Sequence, residues 1–389
     1  MSTFDLPSCR EGGLADQLAG SAVRYVGVPQ DLSELRGLMR IAHARDLVLL
    51  PRGGGSKLSW LDLPPVVDIL LDLSAFDHRR YDTQTACVTV GAGVRIDVIA
   101  QELSVHGRRL ALDPPSARAT LGGIMVTGET GPLAHWFGPP AALVTDATVV
   151  LPDGTITSVA DRVQLLGGSV CDLRWAYPGW PHPACCVVDV TLQTHPLPEA
   201  RLWVTFPLPE PIRLAGLRED ITAANVAPAA VEIDLPSTSG RRGGLGPTAP
   251  PGGAVSMLFE GSSVSVHHRT RELARRIGLD DAQPSGHPPA WWGRYPFRLG
   301  EVALRLHTPD GQLHAVHDAL AGALGATVPV RGSMGSGLGW ACLPGDLPPL
   351  RLISKLEAAR EILLARGGTA VVQAAPHHLR EVVGPYRHP

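Results

Sequence analysis

A glycine triplet directly after an apolar strand is the feature of this sequence that most limits how the chain can fold. Residues 23–28 predict a strand, and residues 32–42 predict a helix with one apolar face. A second strand is predicted at 47–51, and Gly53, Gly54 and Gly55 follow it. The segment therefore predicts a β-α-β unit with the glycines at the carboxyl end of its second strand, where α/β folds bind ligands.

The triplet can be interpreted in two ways. Consecutive glycines leave backbone N–H groups with no side chains in front of them, and such groups can converge on an anion. Lys57 adds a positive charge, and it and Lys355 are the only lysines among the 34 basic residues. A diphosphate site and an ordinary tight surface turn are both open at this point, because short glycine motifs also arise by chance.

Size and composition narrow the class of protein. The chain has 389 residues, of which 44% are hydrophobic and 18% are charged, and this predicts a globular protein of two domains. A net charge of −3 without a basic stripe argues against a nucleic-acid partner. We expect no transmembrane segment and no signal peptide. The six cysteines form no metal-ligand ladder, so we expect no metal and a cytoplasmic location.

A second glycine cluster lies about 70 residues after the first. The segment Thr120–Gly131 reads TLGGIMVTGETG, which is not the GxGxxG motif of nicotinamide-dinucleotide sites. Its pattern suits either backbone that lies against a flat or charged ligand or a plain glycine-rich connection. Beyond it, Asp146–Leu151 and Thr155–Val159 predict a β-hairpin around a Pro-Asp-Gly turn.

The pattern of predicted secondary structure changes after the proline-rich segment His195–Pro198. Strand-helix-strand units recur from residue 199 onward, and their spacing predicts an antiparallel sheet covered by helices. The predicted helices are 211–224, 264–277, 312–324 and 350–366. The stretch Pro236–Gly253, rich in glycine, proline and serine, is predicted to be a long loop.

Six segments carry a family resemblance: PRGGGSKL (51–58), VDILLDLS (67–74), VTVGAGV (88–94), HGRRLALDPP (106–115), TLGGIMVTGETGPL (120–133) and DATVVLPDGTI (146–156). Together they resemble the FAD-binding domain of the vanillyl-alcohol-oxidase superfamily, and most closely the FAD-binding subunits of bacterial glycolate oxidase. The resemblance implies an α+β fold in which a PCMH-type FAD-binding domain with two subdomains precedes an α+β cap domain with an antiparallel sheet.

The resemblance also implies domain limits. The FAD-binding domain would span 20–198 and the cap domain, for substrate or assembly, would span 199–378. Residues 1–19 and 379–389 would be tails.

The resemblance further implies that the first glycine loop holds the FAD diphosphate and that the second runs along the diphosphate and the flavin. The implied cofactor-binding residues are Pro51, Arg52, Gly53, Gly54, Gly55, Ser56, Lys57, Pro114, Thr120, Gly122, Gly123, Thr127, Gly128, Gly131 and Val188. No histidine or cysteine stands in the family's contexts for a covalent flavin link, so we expect noncovalent FAD. The catalytic residues are unassigned. His135, Trp136, Arg109 and the segment 291–295 are candidates by composition alone.

Two segments depart from the family pattern. Residues 162–192 lack the lysines and small residues of the third cofactor segment, and the C-terminal sequence lacks the usual return to the cofactor domain. A subunit that kept the fold and lost the cofactor, acting as an interaction protein, is therefore one alternative. A stand-alone FAD-linked oxidase or dehydrogenase of another alcohol or sugar acid is a second.

The function implied by the resemblance is oxidation of a 2-hydroxy acid within a multi-subunit complex. The expected partners are a sibling flavoprotein subunit, an iron–sulfur subunit and a small-molecule substrate. Any association with the inner membrane would run through those partners.

Overall fold

The computed structural model describes residues 8–18, 20–61, 63–158, 185–208, 213–235, 253–278, 284–309, 312–325 and 328–386. The chain divides into two compact units. The first comprises Met1–Thr130 and Phe137–Leu197, and the second comprises Gly131–Trp136 and Pro198–Pro389. The segment 159–184, which holds most of the third cofactor segment, and the loop residues 236–252 lie outside the described residues.

The first sheet of the first unit contains the predicted β-α-β unit. Its strands are β1 (Cys9–Glu11), β2 (Ala22–Gly27), β3 (Leu49–Arg52) and β4 (Val66–Asp72), in the order β1-β2-β4-β3. Strands β2, β4 and β3 are parallel, and helix α1 (Leu32–Ala44) connects β2 to β3. The β-α-β prediction is confirmed, and the glycine triplet follows the carboxyl end of β3. The predicted N-terminal tail contributes β1, because its backbone pairs with β2.

The second sheet of this unit is antiparallel. Its strands are β5 (Arg79–Asp82), β6 (Cys87–Gly91), β8 (Val144–Val150), β9 (Ile156–Ser158) and β10 (Cys186–Gln193), in the order β5-β6-β10-β8-β9. Strands β7 (Arg108–Arg109) and β11 (His195–Pro196) form a separate short ribbon. Helix α2 (Ile96–Val105) follows β6, and β8 with β9 is the predicted hairpin. One hydrophobic core, with members such as Leu35, Ile99 and Val190, joins both sheets.

Helix α3 (Leu121–Thr127) occupies the second glycine cluster, where the sequence predicted no helix. It begins against the turn after β6, since Leu121 N donates to Val94 O at 2.8 Å and Gly122 N donates to Ala92 O at 3.0 Å. A Cβ on Gly122 would lie 2.7 Å from the Ala92 Cβ, so this close approach requires glycine. Gly128, with φ +59°, ends the helix as a left-handed cap.

The second unit contains a seven-stranded antiparallel sheet, and this confirms the prediction. Its strands are β12 (Ala200–Pro207), β13 (Ala230–Leu235), β14 (Ala254–Gly261), β15 (Val302–His307), β16 (Val330–Ser333), β17 (Leu338–Leu343) and β18 (Thr369–Ala374), in the order β12-β14-β13-β16-β17-β15-β18. The short helix α4 (Ala134–Phe137) precedes them in the chain. The sheet-covering helices are α5 (Arg213–Ala224), α6 (Ser263–Arg276), α7 (Leu313–Leu324) and α8 (Pro349–Leu364). Strand and helix residues share one core, with Phe259, Leu313 and Leu352 fully buried in it.

A short helix follows the last strand of the seven-stranded sheet. Helix α9 (Arg380–Val383) lies in the segment 379–389 that was expected to be a tail. Val383 is fully buried in the core of the second unit, and Tyr386 packs against that core. Apolar burial therefore holds Val383 and Tyr386 against this core, and the domain limits stay a prediction. None of the helices that the structure describes is long and apolar enough to cross a membrane.

Asp31 caps α1 and offers a test of the β-α-β unit. Its carboxylate accepts from Glu34 N at 2.9 Å, and the Glu34 carboxylate accepts from Gln30 N at 3.0 Å. Asp31→Ala should lower the free energy of unfolding of the first unit by about 1 kcal/mol, because an N-terminal N–H loses its acceptor. Urea denaturation measures this. Ser33→Ala, at an exposed position of the same helix, should stay within about 0.5 kcal/mol of wild type. Equal stabilities of the Asp31 variant and wild type would contradict the cap.

Candidate functional site

The two glycine clusters meet in the first unit. Gly54 N donates to Thr120 Oγ1 at 3.4 Å. A Cβ on Gly53 would lie 2.0 Å from the same oxygen, and a Cβ on Gly54 would lie 2.8 Å from Arg118 O. Both positions therefore require glycine because the two segments touch.

The first loop keeps backbone donors that the chain does not use. The N–H groups of Gly53, Gly55 and Ser56 donate no hydrogen bond to any residue that the structure describes. Gly54, Gly55 and Ser56 are exposed, and Gly55 turns the loop with φ +69°. An exposed turn of N–H groups without side chains in front of them can receive an anion.

Lys57 and Glu129 form a buried ion pair between the two segments. Lys57 Nζ contacts Glu129 Oε2, and the side chains are 6% and 1% exposed. The other Glu129 oxygen accepts from Ser116 N at 3.1 Å, and Lys57 Nζ lies 3.3 Å from Ser56 Oγ. Burial lowers the pKa of Lys57, and the negative charge of Glu129 opposes that effect. The ammonium that the sequence suggested as an extra charge for an anion is thus engaged by a carboxylate.

The base of the first loop is held by ionic contacts. Arg52, at the end of β3, donates to Asp72 Oδ2 at 2.6 Å and lies 4.0 Å from Asp16 Oδ1. A hydrogen bond from Arg10 keeps the pKa of Asp16 well below its ordinary value. Pro51 lies beside Arg52 in the same strand. These contacts fix the point from which the glycine triplet leaves the sheet.

Other predicted site residues have different surroundings. Gly123 is open on its side-chain face, where a Cβ would meet only Thr120 Oγ1, at 3.4 Å. Thr127 Oγ1 donates to Gly123 O at 2.7 Å within α3. Val188 is buried in the core on β10, and its carbonyl accepts from Ala92 N at 2.8 Å. Pro114 is half-buried in the first unit.

The structure therefore brings Gly53, Gly54, Thr120 and Gly123 together. Helix geometry and packing account for Gly122, Gly128, Thr127 and Val188, and Gly131 belongs to the second unit. The assignment of all these residues to a cofactor stays a prediction.

The composition-based catalytic candidates differ in burial: His135 and Arg109 are packed, and Trp136 is exposed. The ring of His135 lies against Gly335, and a Cβ added to Gly335 would be 1.7 Å from His135 Nδ1. Burial lowers the pKa of His135. Trp136 is 60% exposed. The buried Arg109 guanidinium lies 5.4 Å from the ring centre of Phe137. The catalytic residues stay unassigned.

A buried ion pair in the second unit was not predicted from the sequence. Arg331 Nε donates to Asp234 Oδ1 at 2.9 Å, and Arg331 Nη1 donates to Arg294 O at 3.1 Å. The Arg331 guanidinium also lies 5.8 Å from the centre of the Trp291 ring. The pair therefore ties the aromatic segment 291–295 to the sheet. Its signal was present in β13, where Glu232 and Asp234 alternate with apolar residues and so share a face.

Comparisons with known proteins bear on the first unit and on the whole fold. Residues 23–160 match the family described as FAD binding domain. The mitochondrial D-lactate dehydrogenase [cytochrome] 1 of Saccharomyces cerevisiae is 27% identical over 181 residues, which are 46% of this chain and 30% of that enzyme. The chain thus matches less than a third of that relative's length.

Solved structures extend the likeness to almost the whole chain. A structure of alkyldihydroxyacetonephosphate synthase superposes with a TM-score of 0.69 at 15% identity and covers 98% of this chain and 81% of the other. A structure of p-cresol methylhydroxylase gives a TM-score of 0.66 at 12% identity and covers 95% and 85%. The chain has the PCMH-type α+β fold and carries an FAD-binding domain, so the predicted fold class and the FAD cofactor are confirmed.

The contact at Gly53 can be tested by adding one carbon. Gly53→Ala should weaken FAD binding at least about tenfold, because its Cβ would overlap Thr120 Oγ1 and push the two segments apart. Quenching of flavin fluorescence measures the dissociation constant.

Gly37→Ala is the matched control for this change, since a Cβ there meets nothing within 4 Å, and it should bind FAD like wild type. Gly53→Ala/Thr120→Ala should recover part of the loss, because the overlapping hydroxyl is gone. Wild-type affinity in Gly53→Ala would refute the contact.

The buried ring of His135 predicts a pH dependence of stability. The folded state holds its pKa below the ordinary value of 6.5, so the unfolded state binds the proton more readily. Stability should therefore fall as the pH drops through and below about 6.5. The melting temperature of wild type should fall further between about pH 7 and pH 5 than that of His135→Gln, which cannot titrate in this range. Parallel losses in both proteins would contradict the prediction.

Proposed function

We propose that this chain oxidises a 2-hydroxy acid with noncovalent FAD, as an FAD-binding subunit of the glycolate-oxidase type. The observation that carries the proposal is the contact of the Gly53–Ser56 loop with Thr120 at the carboxyl end of a parallel strand. The N–H groups of Gly53, Gly55 and Ser56 in this loop donate to no residue that the structure describes. The substrate class is supported by the six motifs and by the likeness to a D-lactate dehydrogenase, because D-lactate is a 2-hydroxy acid.

The residues present fit the diphosphate of FAD. Two phosphate charges beside protein need several hydrogen-bond donors, because an uncompensated charge in a partly buried site is costly. Gly53, Gly55 and Ser56 offer N–H groups whose hydrogen bonds are not used within the described chain. The absence of side chains at the triplet lets a phosphate oxygen reach these groups directly.

The chain's own groups perform binding and orientation. The backbone of the first loop holds the diphosphate, and the Thr120 hydroxyl keeps the second segment against that loop. The Glu129 carboxylate is paired with Lys57, so its negative charge would be offset when the diphosphate binds. Bound FAD would supply the acceptor for the two electrons lost when a 2-hydroxy acid becomes a 2-oxo acid.

The proposed partners are a sibling flavoprotein subunit and an iron–sulfur subunit. This proposal rests on the resemblance of the six motifs alone. A stand-alone FAD-linked dehydrogenase is the second candidate, and the likeness to the yeast D-lactate dehydrogenase favours it. Turnover by the isolated chain separates the two, since a dependent subunit should turn over only with its partners.

Purified protein should be yellow and should release its flavin on denaturation, because no covalent link is expected. Anaerobic addition of glycolate or D-lactate should bleach the flavin absorbance, either in the isolated chain or after co-expression with the partner subunits. Succinate, a carboxylic acid with no hydroxyl group, is the control and should not bleach it. Colourless protein that takes up no added FAD would contradict the cofactor site. Yellow protein that no 2-hydroxy acid bleaches in either form would contradict the substrate class.

A further inference from the structure

We propose that Lys57 and Glu129 are a positioning pair that holds the diphosphate-binding loop in its binding conformation before the cofactor arrives. This inference rests on the FAD site of the proposed function. It adds to that site two residues that act through the loop and do not touch the cofactor. Lys57 thereby changes from a suggested diphosphate ligand to a support of the loop.

The pair joins the two segments that border the site. Lys57 follows the glycine triplet and Ser56, and Glu129 follows Gly128, the cap of α3. Glu129 also accepts from Ser116 N at 3.1 Å, so one carboxylate links the first loop, the end of α3 and the segment before α3. Apart from it, the triplet is linked to this region by Gly54 N and Thr120 Oγ1, at 3.4 Å. That bond is long, and the ion pair is therefore the stronger link.

The Lys57 ammonium is held by groups of the protein. It contacts Glu129 and Ser56 Oγ and lies 5.8 Å from the centre of the Trp60 ring. With only 6% of its side chain exposed, it cannot swing toward a ligand without leaving a carboxylate that is 1% exposed. Breaking a buried ion pair by moving one partner away is strongly unfavourable.

Stability alone does not explain such a pair. Replacing a buried ion pair by apolar residues of similar volume is often neutral or stabilising, because both charges lose their hydration on burial. A pair of charges instead fixes direction and distance. The loop from Gly53 to Ser56 has no apolar side chain with which to hold its position. The ion pair at the end of this loop fixes its position, which apolar packing cannot do here.

The two partners differ in their effect on a nearby diphosphate. Lys57→Met removes a positive charge beside the Glu129 carboxylate, so the charge there becomes more negative and repels phosphate. Glu129→Gln keeps an oxygen for Ser116 N and leaves a positive charge, which attracts phosphate. Lys57→Met should therefore weaken FAD binding far more than Glu129→Gln, although each variant removes the same ion pair.

The decisive variant is Lys57→Met/Glu129→Leu, which removes both charges and keeps apolar volume. We expect it to melt near the wild-type temperature, to bind FAD at least about tenfold more weakly, and to exchange the amide hydrogens of residues 53–56 faster without FAD. Lys355→Met, which replaces the only other lysine, is the matched control and should match wild type in all three measurements.

The experiment uses the full-length chain after removal of flavin, titrated with FAD by fluorescence. Wild-type affinity and exchange in the double variant would overturn the positioning role. If Lys57→Met fails to fold, the double variant decides, since it leaves no buried charge. A wild-type chain that binds no FAD would instead overturn the proposed function. The two failures are thus distinguishable.

Discussion

The contact of the glycine triplet with Thr120 is the constraint on which the candidate site depends. The triplet leaves the first sheet at the parallel strand β3, and Thr120 immediately precedes α3, which packs on the antiparallel sheet. Glycine at 53 and 54 lets the two segments touch, since a Cβ at either position would overlap Thr120 or Arg118. The same lack of side chains exposes the N–H groups of the loop. One property, the missing Cβ, therefore brings the two segments together and opens the site to an anion.

Charge around the loop is balanced within the protein. Arg52 pairs with Asp72 at its base, and Lys57 pairs with Glu129 at its end. A diphosphate bound here would be recognised mainly by backbone dipoles, because the neighbouring charged groups cancel. Affinity would then depend on the shape of the loop more than on the number of cations. The proposed positioning role of Lys57 and Glu129 follows from this, because the pair carries no net charge and would act on the shape of the loop.

Local patterns in the sequence predicted most of the fold. The strands and α1 could be predicted because alternation and helical periodicity are properties of neighbouring residues. Helix α3 could not be predicted, since Gly122 and Gly123 have low helix propensity and the helix depends on contacts with Ala92 and Val94. The sequence named the glycines of the candidate site. It could not tell which of them are needed for contact between the two segments and which for access of a ligand. The ion pair of Lys57 with Glu129 could not be predicted from the sequence. Glu129 is distant from Lys57 along the chain, and the direction of a side chain depends on the tertiary structure.

The central claim is that the Gly53–Ser56 loop holds a dinucleotide by its diphosphate. Calorimetric titration of the flavin-free chain with FAD and with FMN tests this most directly, because FMN has the same flavin ring and a single phosphate without the adenosine half. We expect one FAD per chain and binding of FMN that is weaker by at least about a hundredfold, or about 2.7 kcal/mol. Equal affinities for FAD and FMN, or no heat with either, would contradict it.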